Sequence, residues 1–354
     1  MGWNREDLER AIHGNQPQMV NESLTDLDLR GANLTGAIFI NSDLSRSDLS
    51  GADLREANFI NCRLHQCRLS EARLDHSAWV DVAGEAINFD RAKLFSTKFV
   101  KANFPAAHYH DCDIIESQWV EPRLDGASFS GGSLQRSTFI DGQMPNVHFS
   151  NLTLQTCQIM NMQVPNIAFN NLQIDQLFIM SINPVAIDFT SNRIASIQFQ
   201  ECDISGSNFS GLQMGMVNFT RAKLNEVRMI ETSFAGGLFL EIVAERANFD
   251  AMQAPRTVWQ KSHLSHCSLR GAELEQVNFN QARIEQSVLT NANLTYADFS
   301  HAILLDNDLS GCKLFRSNFH EIVEQNNRWI GSTRAEALGN DPVLEKAESF
   351  KPQR

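Results

Sequence analysis

The chain has 354 residues, of which 42% are apolar, and a formal net charge of −12 at pH 7. No apolar run approaches the length that spans a bilayer, and the first ten residues, MGWNREDLER, lack the apolar core of a signal peptide. Composition therefore disfavours a membrane protein and predicts a soluble, cytoplasmic one.

Residues 1–21 are predicted to form an N-terminal helical cap. Asn4 suits the N-cap of a helix, acidic residues follow in its first turn, and Gly14 can end it. Leu8 and Ile12 lie one turn apart, so they would share the buried face of this helix.

Residues 22–321 follow a strict five-residue repeat. Every fifth position from Leu24 to Phe319 is a large apolar residue, except for Gly84, Pro184, Ala244 and Ala254. A helix repeats its apolar face about every 3.6 residues and a strand every 2, so neither element explains this period. Because no residue is inserted or deleted in this span, the single register overrides the two or three domains that chain length alone suggests.

The units GADLR, ANLTG and YADFS resemble the A(D/N)LXX repeat of the pentapeptide-repeat family. The resemblance covers residues 22–321 and implies an all-β solenoid, a right-handed quadrilateral β-helix with four pentapeptides per coil. Phenylalanine supports four walls independently, since seventeen of the 23 lie at numbers ending in 9. About 15 coils, stacked at roughly 4.8 Å, would form a rod about 70 Å long. We name each wall by its first centre: the Leu24, Leu29, Leu34 and Phe39 walls, each recurring every 20 residues.

The cysteines are predicted to be buried thiols. All seven lie two residues before a repeat centre, in an inward-facing column that is otherwise rich in alanine. In a reducing compartment this position favours packed thiols over disulfides. Cys62 and Cys67 lie on adjacent walls of one coil and are the one pair that could be considered for a bridge.

Three Cys/His clusters resemble metal sites in composition only. In CRLHQC, residues 62–67, the cysteines point inward from different walls while His65 points outward, so they cannot converge on zinc at about 2.0–2.3 Å. HLSHC, residues 263–267, fails for the same reason. His108 and His110 point outward and are predicted to be solvated. We therefore predict no metal, no cofactor and no small-molecule substrate, and the lack of a phosphate-binding loop or nucleophile elbow disfavours an enzyme.

One outward column is apolar where the other walls are polar. On the Phe39 wall, the residue after each centre is apolar through eight successive coils, and Phe178 flanks the last of them. We name this set the apolar stripe: Ile40, Ile60, Val80, Val100, Val120, Ile140, Met160, Phe178 and Met180. An apolar strip of about 34 Å exceeds scattered surface hydrophobes and indicates an interface, although strand propensity alone would also favour β-branched residues there.

The middle of the repeat region is unusual in composition. Between Gly142 and Ile187 the only charged residue is Asp175, and the inward column holds bulky side chains in place of alanine. The coil is expected to swell or distort in this segment. Prolines on the Leu24 wall at 145, 165 and 184 predict poor strand pairing there.

Residues 322–354 are predicted to form a C-terminal helical cap or tail. Ser332 and Asp341 would each begin a short helical segment, with Pro342 in the first turn of the second. These segments would cover Phe319, Ile322 and Trp329 at the end of the solenoid, whose strand edges would otherwise be open.

The preferred function is a non-enzymatic, rod-like scaffold or adaptor that uses the apolar stripe to bind another protein or a second copy of itself. The family resemblance leaves two alternatives open. One is a bacterial type VI secretion accessory protein that helps to place effectors, which rests on the architecture of a long repeat region after a short helix. The other is a DNA mimic that binds the topoisomerase gyrase.

Charge disfavours the DNA mimic, and nucleic acid is not an expected partner. The Leu24, Leu29, Leu34 and Phe39 walls carry net charges of −4, −4, 0 and −3 over residues 22–321. Duplex DNA carries a charge about every 1.7 Å, which is far denser. Opposite charges also lie 20 residues apart, and they predict ion-pair ladders between neighbouring coils: Asp43 with Arg63, Asp48 with Arg68, and Asp53 with Arg73.

Overall fold

The computed structural model describes residues 3–14, 17–182, 185–234 and 236–349. The chain forms a parallel β-solenoid of about 15 coils, which confirms the predicted fold class. It divides into two compact units, Met1–Ile187 with Ser191–Arg193, and Asp188–Thr190 with Ile194–Arg354. Within the described ranges, none of the helices has the length and apolarity that a membrane span requires.

Within the described residues, the regular structure consists of two α-helices, one 3-10 turn and 27 short strands. The helices are α1 (Arg5–His13) and α2 (Pro342–Glu348), and the 3-10 turn is Arg334–Glu336. The strands up to residue 180 are β1 (Gln18–Val20), β2 (Ile38–Ile40), β3 (Asn58–Ile60), β4 (Ala78–Val80), β5 (Lys93–Phe95), β6 (Lys98–Val100), β7 (His108–His110), β8 (Asp113–Ile115), β9 (Gln118–Val120), β10 (Ser128–Ser130), β11 (Ser133–Gln135), β12 (Thr138–Ile140), β13 (His148–Ser150), β14 (Thr153–Gln155), β15 (Cys157–Met160), β16 (Ala168–Asn170) and β17 (Gln173–Met180). The later strands are β18 (Arg193–Gln200), β19 (Gln213–Met214), β20 (Met216–Asn218), β21 (Ser233–Phe234), β22 (Gly237–Leu238), β23 (Val243–Glu245), β24 (His263–Ser265), β25 (Arg283–Glu285), β26 (Ile303–Leu305) and β27 (Val323–Gln325).

Strands pair with a constant offset of 20 residues, which is four pentapeptides. In the first unit, β1, β2, β3, β4, β6, β9, β12 and β15 stack in parallel along the Phe39 wall. The Leu34 and Leu29 walls form shorter ladders, and the Leu24 wall is joined by isolated bridges such as Asp43↔Arg63. In the second unit the longest ladder is β23 to β27, which lies on the Leu24 wall.

The hydrogen bonds of one pentapeptide explain why Asp or Asn often precedes a centre. The N–H of a centre such as Leu44 donates to the next coil, at Arg63 O (2.8 Å), and the N–H of Asp43 donates to the previous coil, at Glu22 O (2.9 Å). The carbonyl of the residue after the centre belongs to this ladder, since Ser45 O accepts from Asp26 N at 3.1 Å, but the N–H of that residue does not. Its N–H is satisfied locally, because Ser45 N donates to Oδ1 of Asp43 at 2.9 Å.

Each wall ends in a left-handed corner. The second residue after the centre has positive φ at most corners, for example Asn21 (φ 56°), Asp26 (φ 59°) and Arg46 (φ 60°). Glycine, Asn and Asp tolerate this region best, which explains their frequency in this column. The corner turns the chain onto the next wall without any inserted loop.

The predicted poor pairing of the Leu24 wall at its prolines is wrong for the two that the structure describes. Met144 N donates to Gln163 O at 2.8 Å, and Asn146 N donates to Pro165 O at 2.8 Å. Pro145 and Pro165 follow a centre, at a position whose N–H the ladder does not use, so proline costs no ladder hydrogen bond there. Pro184 lies outside the described residues.

The predicted distortion of residues 142–187 is confined to the end of that segment. Corners up to Asn171 keep the left-handed conformation, and the bulky inward residues there, such as Val147 and Leu152, are buried. The departure begins at β17, where eight residues run as one continuous strand through the corner position Gln176. β18 behaves in the same way at Ser196.

α1 covers the first coil much as the sequence predicts. Oδ1 of Asn4 accepts from Asp7 N at 3.0 Å, and Leu8 and Ile12 are buried. The helix also binds the exposed strand edge, because Glu9 Oε1 accepts from Asn33 N at 2.8 Å. β1 begins at residue 18, so strand pairing starts inside the segment assigned to the cap.

At the other end, one predicted helix start is confirmed and one is wrong. Asp341 caps α2 by accepting from Val343 N at 2.8 Å. Ser332 begins no helix; the 3-10 turn at Arg334–Glu336 follows Thr333. The Arg334 guanidinium instead lies 4.2 Å from the ring centroid of Phe319, which covers that buried side chain.

The cysteines are buried thiols in the inward column, as predicted, and most of them also donate hydrogen bonds. Cys157 Sγ donates to Leu134 O at 3.2 Å, and Cys312 Sγ donates to Leu289 O at 2.9 Å. Ser117 occupies the same column and donates to Leu94 O at 2.6 Å. Cysteine therefore replaces serine here as well as alanine.

Candidate functional site

The apolar stripe forms an unbroken ladder on the outer face of the first unit. The pairs Ile40↔Ile60, Ile60↔Val80, Val80↔Val100, Val100↔Val120, Val120↔Ile140, Ile140↔Met160 and Met160↔Met180 are in register in parallel strands. Every predicted residue of this column is therefore stacked on the next. Phe178 pairs with Gln158 beside the ladder.

The stripe extends one coil further than the sequence analysis placed it. Val20 pairs with Ile40, and its side chain is 43% exposed. Ile38 lies on the same strand as Ile40 and is half-buried. Following the column back by 20 residues would have found Val20, but that residue lay in the segment assigned to the cap.

Side chains of the stripe are accessible to different degrees. Ile60 is 39% exposed and Met180 is 38% exposed. The others are half-buried: Ile40, Val80, Val100, Val120, Ile140, Met160 and Phe178. Stacked neighbours cover part of each side chain, so the stripe presents a narrow apolar ridge.

An aromatic stack lies directly behind the stripe. Phe59 and Trp79 have ring centroids 4.1 Å apart, and Trp119 and Phe139 have centroids 4.4 Å apart. All four side chains are buried. Stacked rings of this kind fix the strands that carry the ridge, so its spacing does not depend on a mobile loop.

The equivalent column of the Leu29 wall is polar. His110, Ser130, Ser150 and Asn170 pair in register there, just as the stripe residues do on their own wall. Strand propensity acts on both walls, yet only one is apolar. Strand propensity alone therefore does not explain why the stripe column is apolar.

Exposed charges are largely paired, although not always as predicted. Arg68 Nη1 lies 3.7 Å from Oδ2 of Asp48, as the ladder predicts. Asp53 instead pairs with Arg55 at 2.6 Å, two residues along the same coil. Asp43 accepts from Ser45, as described above. The expected ladder is thus confirmed for one of three pairs, because a flexible Arg reaches a neighbour in its own coil equally well.

Corner residues form the more regular ion-pair ladders. Arg46 Nη2 lies 2.6 Å from Oδ2 of Asp26, and Arg91 Nη2 lies 2.8 Å from Oε1 of Glu71. Side-chain hydrogen bonding to Arg46 holds the pKa of Asp26 below its ordinary value. These exposed pairs neutralise acidic groups locally, each with a small contribution to stability.

The metal-like clusters of the sequence have the geometry expected of them. Cys62 and Cys67 are buried while His65 is exposed and accepts from Glu85 N, so the three do not converge. His108 and His110 are both exposed. Sequence reasoning missed a different group, which combines residues of the last coils with α2: His301, His320, Glu321 and Glu348.

Comparison with family profiles agrees with the repeat seen in the structure. A profile of the pentapeptide repeat region matches residues 32–103, and a profile of pentapeptide repeats (8 copies) matches residues 245–281 and 282–320. The coils and their five-residue units define a β-solenoid repeat protein. Over residues 32–103 and 245–320 the chain belongs to the pentapeptide-repeat family.

Several solved structures are similar to this chain. A trypsin-treated form of QnrB1, a plasmid-mediated fluoroquinolone resistance protein, is 16% identical over 56% of this chain and 88% of its own, with a TM-score of 0.34. HetL, a pentapeptide repeat protein involved in heterocyst differentiation regulation in the cyanobacterium Nostoc, is 15% identical over 96% and 98%, with a TM-score of 0.14. Full-length QnrB1 is 12% identical over 94% and 100%, with a TM-score of 0.15. No curated protein matches the chain.

Proposed function

We infer that this chain is a non-catalytic scaffold that binds another protein, or a second copy of itself, through the apolar stripe. The observation that carries this proposal is the in-register ladder from Val20 to Met180 on one wall. Eight steps of roughly 4.8 Å make a ridge about 40 Å long. The thiols buried in the solenoid suit a reducing compartment, so we place the scaffold in the cytoplasm.

The ridge can supply enough binding free energy for a specific contact. Covering its nine rungs would remove on the order of 400 Å² of apolar surface from water, which is a gross gain of about 10 kcal/mol. That gain is comparable to the usual cost of association. Because the ridge is built on paired strands, little further ordering is needed when a partner binds.

Polar side chains beside the ridge give the contact its direction. The residue before each centre on the same wall includes Asn58, Lys98, Gln118 and Thr138. A partner would therefore meet an apolar line with hydrogen-bonding groups along one side. This arrangement fits a protein surface better than a nucleic acid, whose phosphates would require a row of basic residues.

The test is a triple substitution, Val80→Lys, Val100→Glu and Val120→Lys. These side chains point outward and their charges alternate along the ladder, so the fold should be retained. A matched control places Ser70→Lys, Ser130→Glu and Ser150→Lys in the same column of the Leu29 wall. Circular dichroism and thermal unfolding would establish that both variants fold.

Sedimentation over a range of concentrations measures self-association, and quantitative pull-down with the three forms as bait measures partner capture. We expect the stripe variant to self-associate, or to capture its partner, with an affinity at least about tenfold lower than the parent chain, equivalent to 1.4 kcal/mol. The control should behave as the parent chain. If the folded stripe variant keeps both self-association and partner capture, the stripe is a strand-packing feature and the proposal is wrong.

A further inference from the structure

Four side chains at the C-terminal end of the solenoid converge on a small region. Potential ligand atoms of His301, His320, Glu321 and Glu348 all lie within 4.8 Å of one another. The first three belong to the last coils, and Glu348 is the final residue of α2. The cluster therefore joins the solenoid to the helix that follows it.

The two histidines address one carboxylate. His301 Nε2 lies 3.2 Å from Oε1 of Glu348, and His320 Nε2 lies 3.3 Å from Oε2 of the same residue. Nitrogen and oxygen atoms that share a tetrahedral zinc ion lie roughly 3.3 Å apart. The two nitrogen–oxygen distances are therefore compatible with ligands that share one ion.

Glu321 has the position of a carboxylate that orients a metal-bound histidine. Its Oε2 lies 3.4 Å from His301 Nδ1, which leaves Nε2 directed at Glu348. Carboxylate–histidine–metal arrangements of this kind fix the ring and raise the basicity of the ligand nitrogen. Backbone bonds hold the same region, since His301 N donates to His320 O at 2.9 Å.

The environment of the cluster is protected on one side. The His320 side chain is 1% exposed, whereas those of His301 and Glu348 are 29% and 35% exposed. A buried imidazole provides a fixed ligand, and the exposed ligands leave a route for an ion to enter. Imidazole and carboxylate together suit a divalent transition metal such as Zn²⁺.

We propose that His301, His320 and Glu348, with Glu321 as an orienting or fourth ligand, bind a divalent transition metal that fastens α2 to the last coils. This site is independent of the apolar stripe, which lies on the first unit. The bound ion replaces the two hydrogen bonds between the histidines and Glu348 with a single cross-link between elements.

Metal binding would break one hydrogen bond that His320 makes in this structure. Its Nδ1 now accepts a hydrogen bond from Asp341 N at 3.1 Å, so in the neutral ring the proton lies on Nε2. When Nε2 ligates a metal, Nδ1 carries the proton and this bond to Asp341 is lost. Metal binding should therefore protect the C-terminal turn of α2 while it loosens the residue that caps the N-terminus of α2.

The test is a calorimetric titration of the full chain with Zn²⁺ in the presence of a phosphine reductant. We expect one equivalent to bind, and Glu348→Gln or His301→Ala to weaken binding about 10- to 100-fold. Glu285→Gln is the matched control, because Glu285 contacts a single histidine, His263, at 2.9 Å. The control should bind Zn²⁺ as the parent chain does.

Hydrogen exchange supplies a readout that a purely structural role would not move. With Zn²⁺, amides in the last turn of α2 should gain protection in the parent chain and gain none in Glu348→Gln. Substitution with Co²⁺ should give the absorption of a four-coordinate ion without a thiolate charge-transfer band. Absence of stoichiometric binding, a thiolate band, or equal binding by parent and Glu348→Gln would each overturn the proposal.

Discussion

The Sγ atom of Cys157 donates a hydrogen bond to the carbonyl oxygen of Leu134, 23 residues earlier, at 3.2 Å. Because the inward column accepts Cys, Ser or Ala, Cys157→Ser and Cys157→Ala should each change the free energy of unfolding by no more than about 1 kcal/mol. Cys157→Arg buries an unpaired charge and should cost about 3–5 kcal/mol. Urea denaturation of the three variants measures this, and a mild effect of Arg would contradict the inward assignment.

Burial of the thiols predicts a loss of stability at alkaline pH. It raises the pKa of Cys157 to about 11 from an ordinary value of 9.0. The unfolded chain therefore loses this proton first, so the stabilisation is present below pH 9 and is lost as pH rises to 11. At about 1.4 kcal/mol per pKa unit, the loss is up to about 3 kcal/mol.

The measurement for this second prediction is the difference between the parent chain and Cys157→Ala, which has no thiol at that position. Between pH 9 and 11 the parent should lose more stability than the variant. Titration of Tyr, Lys and the other cysteines is common to both and cancels. Parallel curves for the two chains would show that the thiol ionises as easily when folded as when unfolded.

Glycine is required at some positions of positive φ for space as well as for φ. Gly132 has φ +65°, and an added Cβ would lie 2.3 Å from the carbonyl oxygen of Cys112. Gly126 has φ +64°, but a Cβ added there would meet no heavy atom within 4 Å. Gly132→Ala should therefore lower the free energy of unfolding by about 3 kcal/mol or more, and Gly126→Ala should lower it by about 1 kcal/mol. Thermal unfolding of the pair tests this, and equal effects would contradict the steric argument.

Insertion should be more damaging than substitution. One residue added after Ser130 moves each later buried side chain out of the inward column of its coil. We therefore expect the free energy of unfolding to fall by more than about 4 kcal/mol. Five added residues keep the apolar pattern but shift the pairing to a neighbouring wall. Unfolding midpoints and limited proteolysis compare the two insertions. A single-residue insertion that left both unchanged would disprove a continuous register.

The sequence predicts the solenoid well because the inward columns permit few residue types. Leu24 and its successors recur without an insertion, so coil length and wall identity follow directly. Asn21, Gly31 and Gly36 occupy one column, and residues of these types favour the left-handed conformation that the structure shows at the corners. Side-chain pairing was less predictable, because Arg55 reaches Asp53 within its own coil.

The cluster around His320 could not be predicted from the register. His301 and Glu321 lie 20 residues apart and are stacked by the repeat, but Glu348 reaches them only through the fold of α2. The position of that helix depends on its cap at Asp341 and on the bond between Asp341 and His320. Neither follows a five-residue rule.

The constant offset of 20 residues also has a consequence for how the chain acquires its structure. A newly synthesised strand such as β3 pairs with β2, which lies one coil earlier in the sequence, so its pairing does not require a strand that is distant in the chain. Each coil can therefore be added to a finished edge while the next is still being translated, in the direction of synthesis. On this basis α1, which covers the first edge, acts as the template from which the coils grow.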